Sequence, residues 1–156
     1  MVQQLVSATD NSAQAPSETA AAPSGGAKIL VIDDSNTIRR SAEIFLRQGG
    51  HEVMLAEDGF DALAKVNDHL PELIFCDILM PRLDGYQTCA IIKRNPRFAH
   101  VPVIMLSSKD GLFDKARGRM VGSQDYLTKP FTKDQLLRAV QQFRPAPARS
   151  DDAAAA

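Results

Sequence analysis

A chain of 156 residues, 44% of them hydrophobic, can enclose one well-buried domain and is short for two. Its formal net charge of -1 gives no whole-chain attraction to nucleic acid or to an anionic membrane, and no apolar stretch approaches the roughly 18 to 20 residues that span a bilayer. The N-terminus lacks a basic start followed by an apolar signal core, so the chain is expected in the cytoplasm, without membrane insertion. Cys76 and Cys89 then read as buried reduced thiols, since neither their spacing nor their neighbours supply a zinc motif.

Residues 1–27 are rich in Ala, Ser, Gln, Gly and Pro without an apolar period, and are expected to form a flexible tail. Residues 144–156, with Pro145, Pro147 and a closing run of alanines, read the same way. Between them, over 28–143, strand-like and helix-like segments alternate five times, the pattern of a parallel sheet covered on both faces. The first strand covers Ile29 to Ile32. Ile38, Ala42, Phe45 and Leu46 then mark one helix face, stopped at Gly49-Gly50. Glu52 to Ala56 is the second strand, and Asp58 to Leu70 the second helix, with Leu63, Val66 and Leu70 as its core face and Pro71 as its stop. The third strand ends at Asp77. Asp84-Gly85 opens a third helix with Tyr86, Cys89 and Ile92 on one side, closed by Asn95-Pro96. A fourth strand is expected over Pro102 to Leu106. The short fourth helix, Leu112 to Met120, carries Gly118, at about 1 kcal/mol relative to Ala. A fifth strand includes Tyr126-Leu127, and the last helix, Lys133 to Phe143, packs through Leu136, Val140 and Phe143.

Parallel strands in an open α/β sheet bring their carboxyl ends side by side, where such folds place ligands. Asp33-Asp34, Asp77, Ser107 and Lys129 all sit at or just past such ends. Asp33 and Asp34 would face opposite ways on an ideal strand, but a turn past its end can aim both at one ion. Two unit charges about 4 Å apart repel by roughly 4 kcal/mol at an effective dielectric near 20, so clustered carboxylates call for a cation or for protons. Mg²⁺ accepts hard oxygen ligands and commonly pairs carboxylates with phosphate oxygens. Asp77, at the mouth of an apolar strand, can act as a nucleophile on phosphorus. Ser107 can donate to a phosphoryl oxygen, and Lys129 is a usual phosphate partner. Lys129-Pro130 is a bond that tolerates a cis peptide.

With these residues in order, the chain resembles the receiver domain of two-component response regulators, the CheY-like family. The resemblance rests on Val31-Ile32-Asp33-Asp34-Ser35, on Asp77 with Met80-Pro81 and Asp84-Gly85, on Ser107, and on Tyr126-Leu127-Thr128-Lys129-Pro130-Phe131. It implies a flavodoxin-like five-stranded parallel sheet of order 2-1-3-4-5, which general fold rules give for CheY, with five flanking helices. It further implies that Asp77 takes a phosphoryl group from a kinase phosphohistidine. Asp34, Asp77 and the Leu79 carbonyl would ligate Mg²⁺, Asp33 would hold metal-bound water, and Ser107 and Lys129 would bind phosphoryl oxygens. Tyr126 matches the switch aromatic coupled to Ser107. Leu79 and Lys109 lie two positions past Asp77 and Ser107, where the resemblance places residues that tune phosphoryl lifetime. An apolar Leu79 cannot orient water, so slow to intermediate decay is expected.

Residues 58–65, 80–89 and 107–115 look, more narrowly, like the CheY-like regulators of type IV pilus twitching motility. That likeness implies a CheA-like chemosensory histidine kinase as donor and pilus motor or regulatory proteins as recipients. The chain ends soon after the fifth helix, so output is expected through protein binding without direct DNA contact. The reading is therefore a phosphoacceptor switch that is not an enzyme of turnover. A Mg²⁺-dependent aspartyl phosphohydrolase would usually carry an aspartate where Leu79 stands. A flavin site would need a neutral or glycine-rich cradle where Asp33-Asp34-Ser35 stands. The stronger alternative is a receiver-like binding module that works without phosphate.

Overall fold

The structure is a computed structural model that describes residues 26–108 and 115–144. Five strands alternate with five helices among these residues: β1 (Lys28–Ile32), α1 (Asn36–Gln48), β2 (Glu52–Ala56), α2 (Gly59–His69), β3 (Leu73–Asp77), α3 (Gly85–Arg94), β4 (Val103–Ser108), α4 (Lys115–Val121), β5 (Asp125–Lys129) and α5 (Lys133–Phe143). The strands form one sheet of order β2-β1-β3-β4-β5, every pair parallel, as the sequence predicts. The chain reverses its direction of travel across the sheet after β2, which opens a crevice between the carboxyl ends of β1 and β3.

Period-two alternation divides the core into two layers. Ile29, Val31, Leu73, Phe75, Ile104 and Leu106 face Ala42 and Leu46 of α1 and Leu136 and Val140 of α5. Leu30, Ile32, Ile74, Cys76, Val103 and Met105 face Ala62 and Val66 of α2 and Tyr86, Cys89 and Ile92 of α3. The three inner strands are apolar on both sides because helices cover both sides. Helix starts follow from side-chain acceptors that satisfy otherwise unpaired N–H groups: Ser35, Asp58, Asp84 and Thr132 each accept from the residue three positions on. Cys76 and Cys89 are buried and free, and burial pushes the Cys89 thiol up to about 11.

Three boundaries differ from the sequence reading, and a fourth is described only in part. Leu70 does not join the core face of α2. It caps the helix in the left-handed conformation, φ 52°, and is 53% exposed, so the turn ends one residue before Pro71 acts. β4 runs through Ser108 instead of stopping at Leu106, because Ser107 and Ser108 find partners in Thr128 and Lys129 of β5. α4 begins at Lys115, and residues 112–114 of the expected helix lie outside the described residues. Ala27, assigned from sequence to the tail, is fully buried. Its N–H donates to His51 Nδ1 at 3.0 Å and its carbonyl accepts from Glu52. The remainder of both expected tails, 1–25 and 145–156, lies outside the described residues.

Candidate functional site

The alternation that builds the core also aims the polar groups at the strand ends. Asp77 continues the Leu73–Phe75 side of β3, Asp33 follows the Ile29–Val31 side of β1, and Lys129 follows Leu127 on β5. These three therefore meet on the α1–α5 side of the sheet. The Lys129 ammonium lies 3.1 Å from Asp33 Oδ2 and 3.0 Å from Asp77 Oδ1. The Lys129–Pro130 peptide is cis.

Asp33 is fully buried, Asp77 nearly so, and Asp34, where the chain bends out of the strand, is exposed. Asp33 is held in place twice. Its Oδ1 accepts from Ser35 N at 2.8 Å, and its backbone carbonyl accepts from Arg39 Nη1 at 2.6 Å. Despite their different burial, Asp33, Asp34 and Asp77 each offer a carboxylate oxygen such that all three lie within 4.8 Å of one another. The turn thus gathers adjacent aspartates on one point.

This cluster is short of positive charge. Burial first, then the neighbouring Asp33 carboxylate, push Asp77 up to about 7, against the pull of the Lys129 ammonium. Burial works against the charge on Lys129, but the Asp33 and Asp77 carboxylates outweigh it and hold its pKa above the ordinary value. One ammonium among three carboxylates leaves room for a further cation, and the donor set, all oxygen, suits a hard divalent ion.

The neighbouring loop is built tightly against Asp77. Asp84 caps α3 in a reciprocal pair with Gln87, and Gly85 N donates to Ile78 O at 2.8 Å. A Cβ on Gly85 would fall 2.2 Å from the Asp77 carbonyl oxygen, so the helix start needs glycine there for close approach. Between them, Arg82 sits at φ 69°, its guanidinium 2.9 Å from Asp58 Oδ2 and stacked 5.2 Å from the Phe60 ring.

Ser107 and Tyr126 belong to the other side of the sheet. Ser107 continues the Val103–Met105 side of β4, is buried, and donates to the Ser108 carbonyl at 3.3 Å. Tyr126, half-buried, pairs in register with Met105 and packs against the same core layer. Leu79 is 66% exposed at the mouth of the site. Lys109 lies outside the described residues. The roles of Arg39 as a loop fastener and of Gly85 as a contact glycine were not read from sequence. Arg39 carries no motif at its distance from Asp33, and a glycine opening a helix looks like any other start.

Residues 29–141 match the response regulator receiver domain. Protein PilG of Pseudomonas aeruginosa is 63% identical over 123 residues, which cover 79% of this chain and 91% of that protein. Protein PilH of the same organism is 36% identical over 114 residues, covering 73% of this chain and 94% of its own length. The Vibrio cholerae chemotaxis protein CheY4 superposes with a TM-score of 0.72 at 32% identity, over 76% of this chain and 99% of that structure. Sheet order, acidic cluster and these similarities agree, and the chain belongs to the response regulator receiver domain family.

Proposed function

We propose that this receiver domain is a phosphorylation switch in which Asp77 accepts a phosphoryl group from the phosphohistidine of a CheA-like chemosensory kinase. The convergence of the Asp33, Asp34 and Asp77 carboxylates, two of them paired with the Lys129 ammonium, carries this reading. In the transfer, an Asp77 carboxylate oxygen attacks phosphorus, the O–P bond forms, and the P–N bond to the donor imidazole breaks with the electron pair leaving on nitrogen. Asp34, Asp77 and the Leu79 carbonyl would hold Mg²⁺ beside Asp33, and that ion supplies charge neutralisation at the carboxylates and a clamp for phosphoryl oxygens. Lys129 moves from pairing Asp77 to pairing the new phosphoryl group. Ser107 gives up the Ser108 carbonyl for a phosphoryl oxygen, with Tyr126 on the same side of the sheet following it. Phosphorylation adds about two negative charges at the mouth of β3. Leu79, apolar and exposed, offers no hydrogen bond to an attacking water, and with Lys109 it sets the lifetime of the acyl phosphate.

The likeness to PilG and PilH supports a place in a pathway of type IV pilus twitching motility, with pilus motor or regulatory proteins as recipients of the signal. Residues 28–143 would form the switch and the flanking segments its tails. Intact mass after incubation with Mg²⁺ and acetyl phosphate tests the chemistry. A Mg²⁺-dependent phosphoryl adduct on the wild type and none on Asp77→Ala is the expected result. No adduct, with Mg²⁺ bound and rapid hydrolysis excluded, would replace the switch by a module that binds its partners without phosphate.

A further inference from the structure

Charge is segregated in this chain although its sum is close to zero. From Gly85 to Gln124 the sequence carries seven basic residues, Lys93, Arg94, Arg97, Lys109, Lys115, Arg117 and Arg119, against two acids, Asp110 and Asp114. The acids collect around α2, as Glu57, Asp58, Asp61, Asp68 and Glu72, whereas α1 carries Glu43 among Arg39, Arg40 and Arg47.

Within the basic half, α3 and α4 leave an open groove of about 280 Å³ between them. Leu83, Ile91 and Val121 give it an apolar lining, Tyr86 lies along it, and Arg94 and Arg117 stand on it. Ile91 is 38% exposed, and Met120, the neighbour of Val121, is 85% exposed. The Arg117 guanidinium stacks 4.4 Å from the Tyr86 ring centroid, which fixes a planar cation above an aromatic surface. A carboxylate neighbour, Asp84, places Oδ2 at 3.9 Å, the outer limit of an ion pair, while its Oδ1 accepts from Gln87 N in capping α3. Aromatic and arginine side chains around an apolar floor are what the centre of a protein interface is made of.

We infer that the α3–α4 groove docks an acidic amphipathic segment of a partner protein, its aliphatic or aromatic anchors seated on Leu83, Ile91 and Val121 and its carboxylates on Arg94 and Arg117. The class of partner follows from the excess of positive charge: a basic segment would meet Arg94 and Arg117 as like charge, and the Asp84 carboxylate beside them already caps α3 and faces Arg117. An amphipathic helix laid in the groove presents anchors at three- and four-residue spacing. The groove is present without a phosphoryl group, so this inference stands apart from the chemistry proposed for Asp77.

Three 14-residue helical peptides test it by titration into the ¹⁵N-labelled full chain with no phosphodonor present. One has a Leu/Phe stripe and Glu/Asp elsewhere, one the same composition scrambled, and one Gln/Asn in place of the acids. Saturable amide shifts on α3 and α4 with the first peptide, weakening with salt, and weaker binding by the other two are expected. The double variant Arg94→Glu, Arg117→Glu should lose about tenfold or more in affinity, and Ile91→Ser, with its fold checked by the unchanged amide spectrum outside α3 and α4, should lose about threefold. Absence of saturable shifts, shifts centred on another face, or unchanged affinity in both variants overturns the assignment. Concentration-dependent shifts of the same amides without peptide would give the groove to a second copy of this chain, and would overturn it too.

Discussion

The raised pKa of Asp77 turns the crowding of the site into a measurable stability term. An unfolded chain releases the Asp77 proton near the ordinary value of 3.8, whereas the folded, metal-free protein keeps it to about 7. Between these limits the native state binds one more proton than the unfolded state, so stability falls as pH rises from 4 to 7 and is level above. At 1.36 kcal/mol per pH unit this span corresponds to about 4 kcal/mol as an upper value. Asp77→Asn keeps the shape of the protonated carboxyl and cannot ionise, so it escapes the loss. Urea unfolding in EDTA at pH 4.5 and pH 8 should show the variant ahead of wild type by no more than about 1 kcal/mol at the lower pH. At the higher pH the variant should be more stable by about 2 to 4 kcal/mol. Mg²⁺ at tenfold its dissociation constant should return about 1.4 kcal/mol to the wild type at pH 8. It should do less for the variant, which has one fewer carboxylate. A difference between the two proteins that stays constant across this pH range would refute the reasoning, because it would mean that Asp77 ionises as freely folded as unfolded.

Lys129→Ala leaves Asp33 buried without its ammonium, and metal-free unfolding at pH 8 should show a loss of about 2 to 4 kcal/mol that Mg²⁺ partly restores. Gly85→Ala sets a Cβ 2.2 Å from the Asp77 carbonyl oxygen, and the resulting backbone shift should cost about 1 to 3 kcal/mol in thermal or urea unfolding, more than the helix gains from alanine. Leu79→Asn puts a hydrogen-bonding side chain at the mouth of the site, and the acyl phosphate should decay several-fold faster, read by loss of the phosphoryl mass. His51 accepts the Ala27 N–H, and burial, followed by the Arg144 charge, lowers its pKa. The unfolded chain therefore binds the extra proton as pH falls below about 6.5, and stability should decline there in Asp77→Asn but less in Asp77→Asn, His51→Asn.

The parallel sheet was legible because each inner strand is an apolar run that stops at a polar residue and five such runs alternate with helical periodicity, whereas its order came from the resemblance to receiver domains. Asp33, Asp34, Asp77 and Lys129 were legible as a set for the same reason, each marking a strand end. What pattern alone could not supply was how far each is buried. Asp33 and Asp34 are neighbours of one type, yet one is sealed and the other exposed, and the bend after Ile32 that separates them is a tertiary outcome. Leu70 fits the helical period and still lies in solvent, because the chain leaves the helix in a left-handed turn at that residue. Ser107 and Ser108 extend β4 because β5 offers them a parallel partner, a contact made across 21 residues of sequence in the Ser107–Thr128 pair. Gly85 and Arg39 act through contacts that no local motif announces.

The parity of the strands constrains how a charge placed on Asp77 can be felt elsewhere. Asp33, Asp77 and Lys129 lie on the α1–α5 side, while Ser107 and Tyr126 lie with α2 and α3 on the other. A signal from the carboxylate to Tyr126 must therefore pass around the carboxyl ends of the strands, through Ser107 and its backbone neighbour Ser108, instead of through the packed sheet. A second route runs along the main chain. The Asp77 carbonyl abuts Gly85, Gly85 opens α3, and Asp84 before it faces Arg117 of α4. These contacts connect the Asp77 backbone to both walls of the α3–α4 groove. Both routes arrive on the same face, so if Asp77 takes a phosphoryl group as proposed, the face opposite the carboxylates is the one whose affinity for a partner it would change.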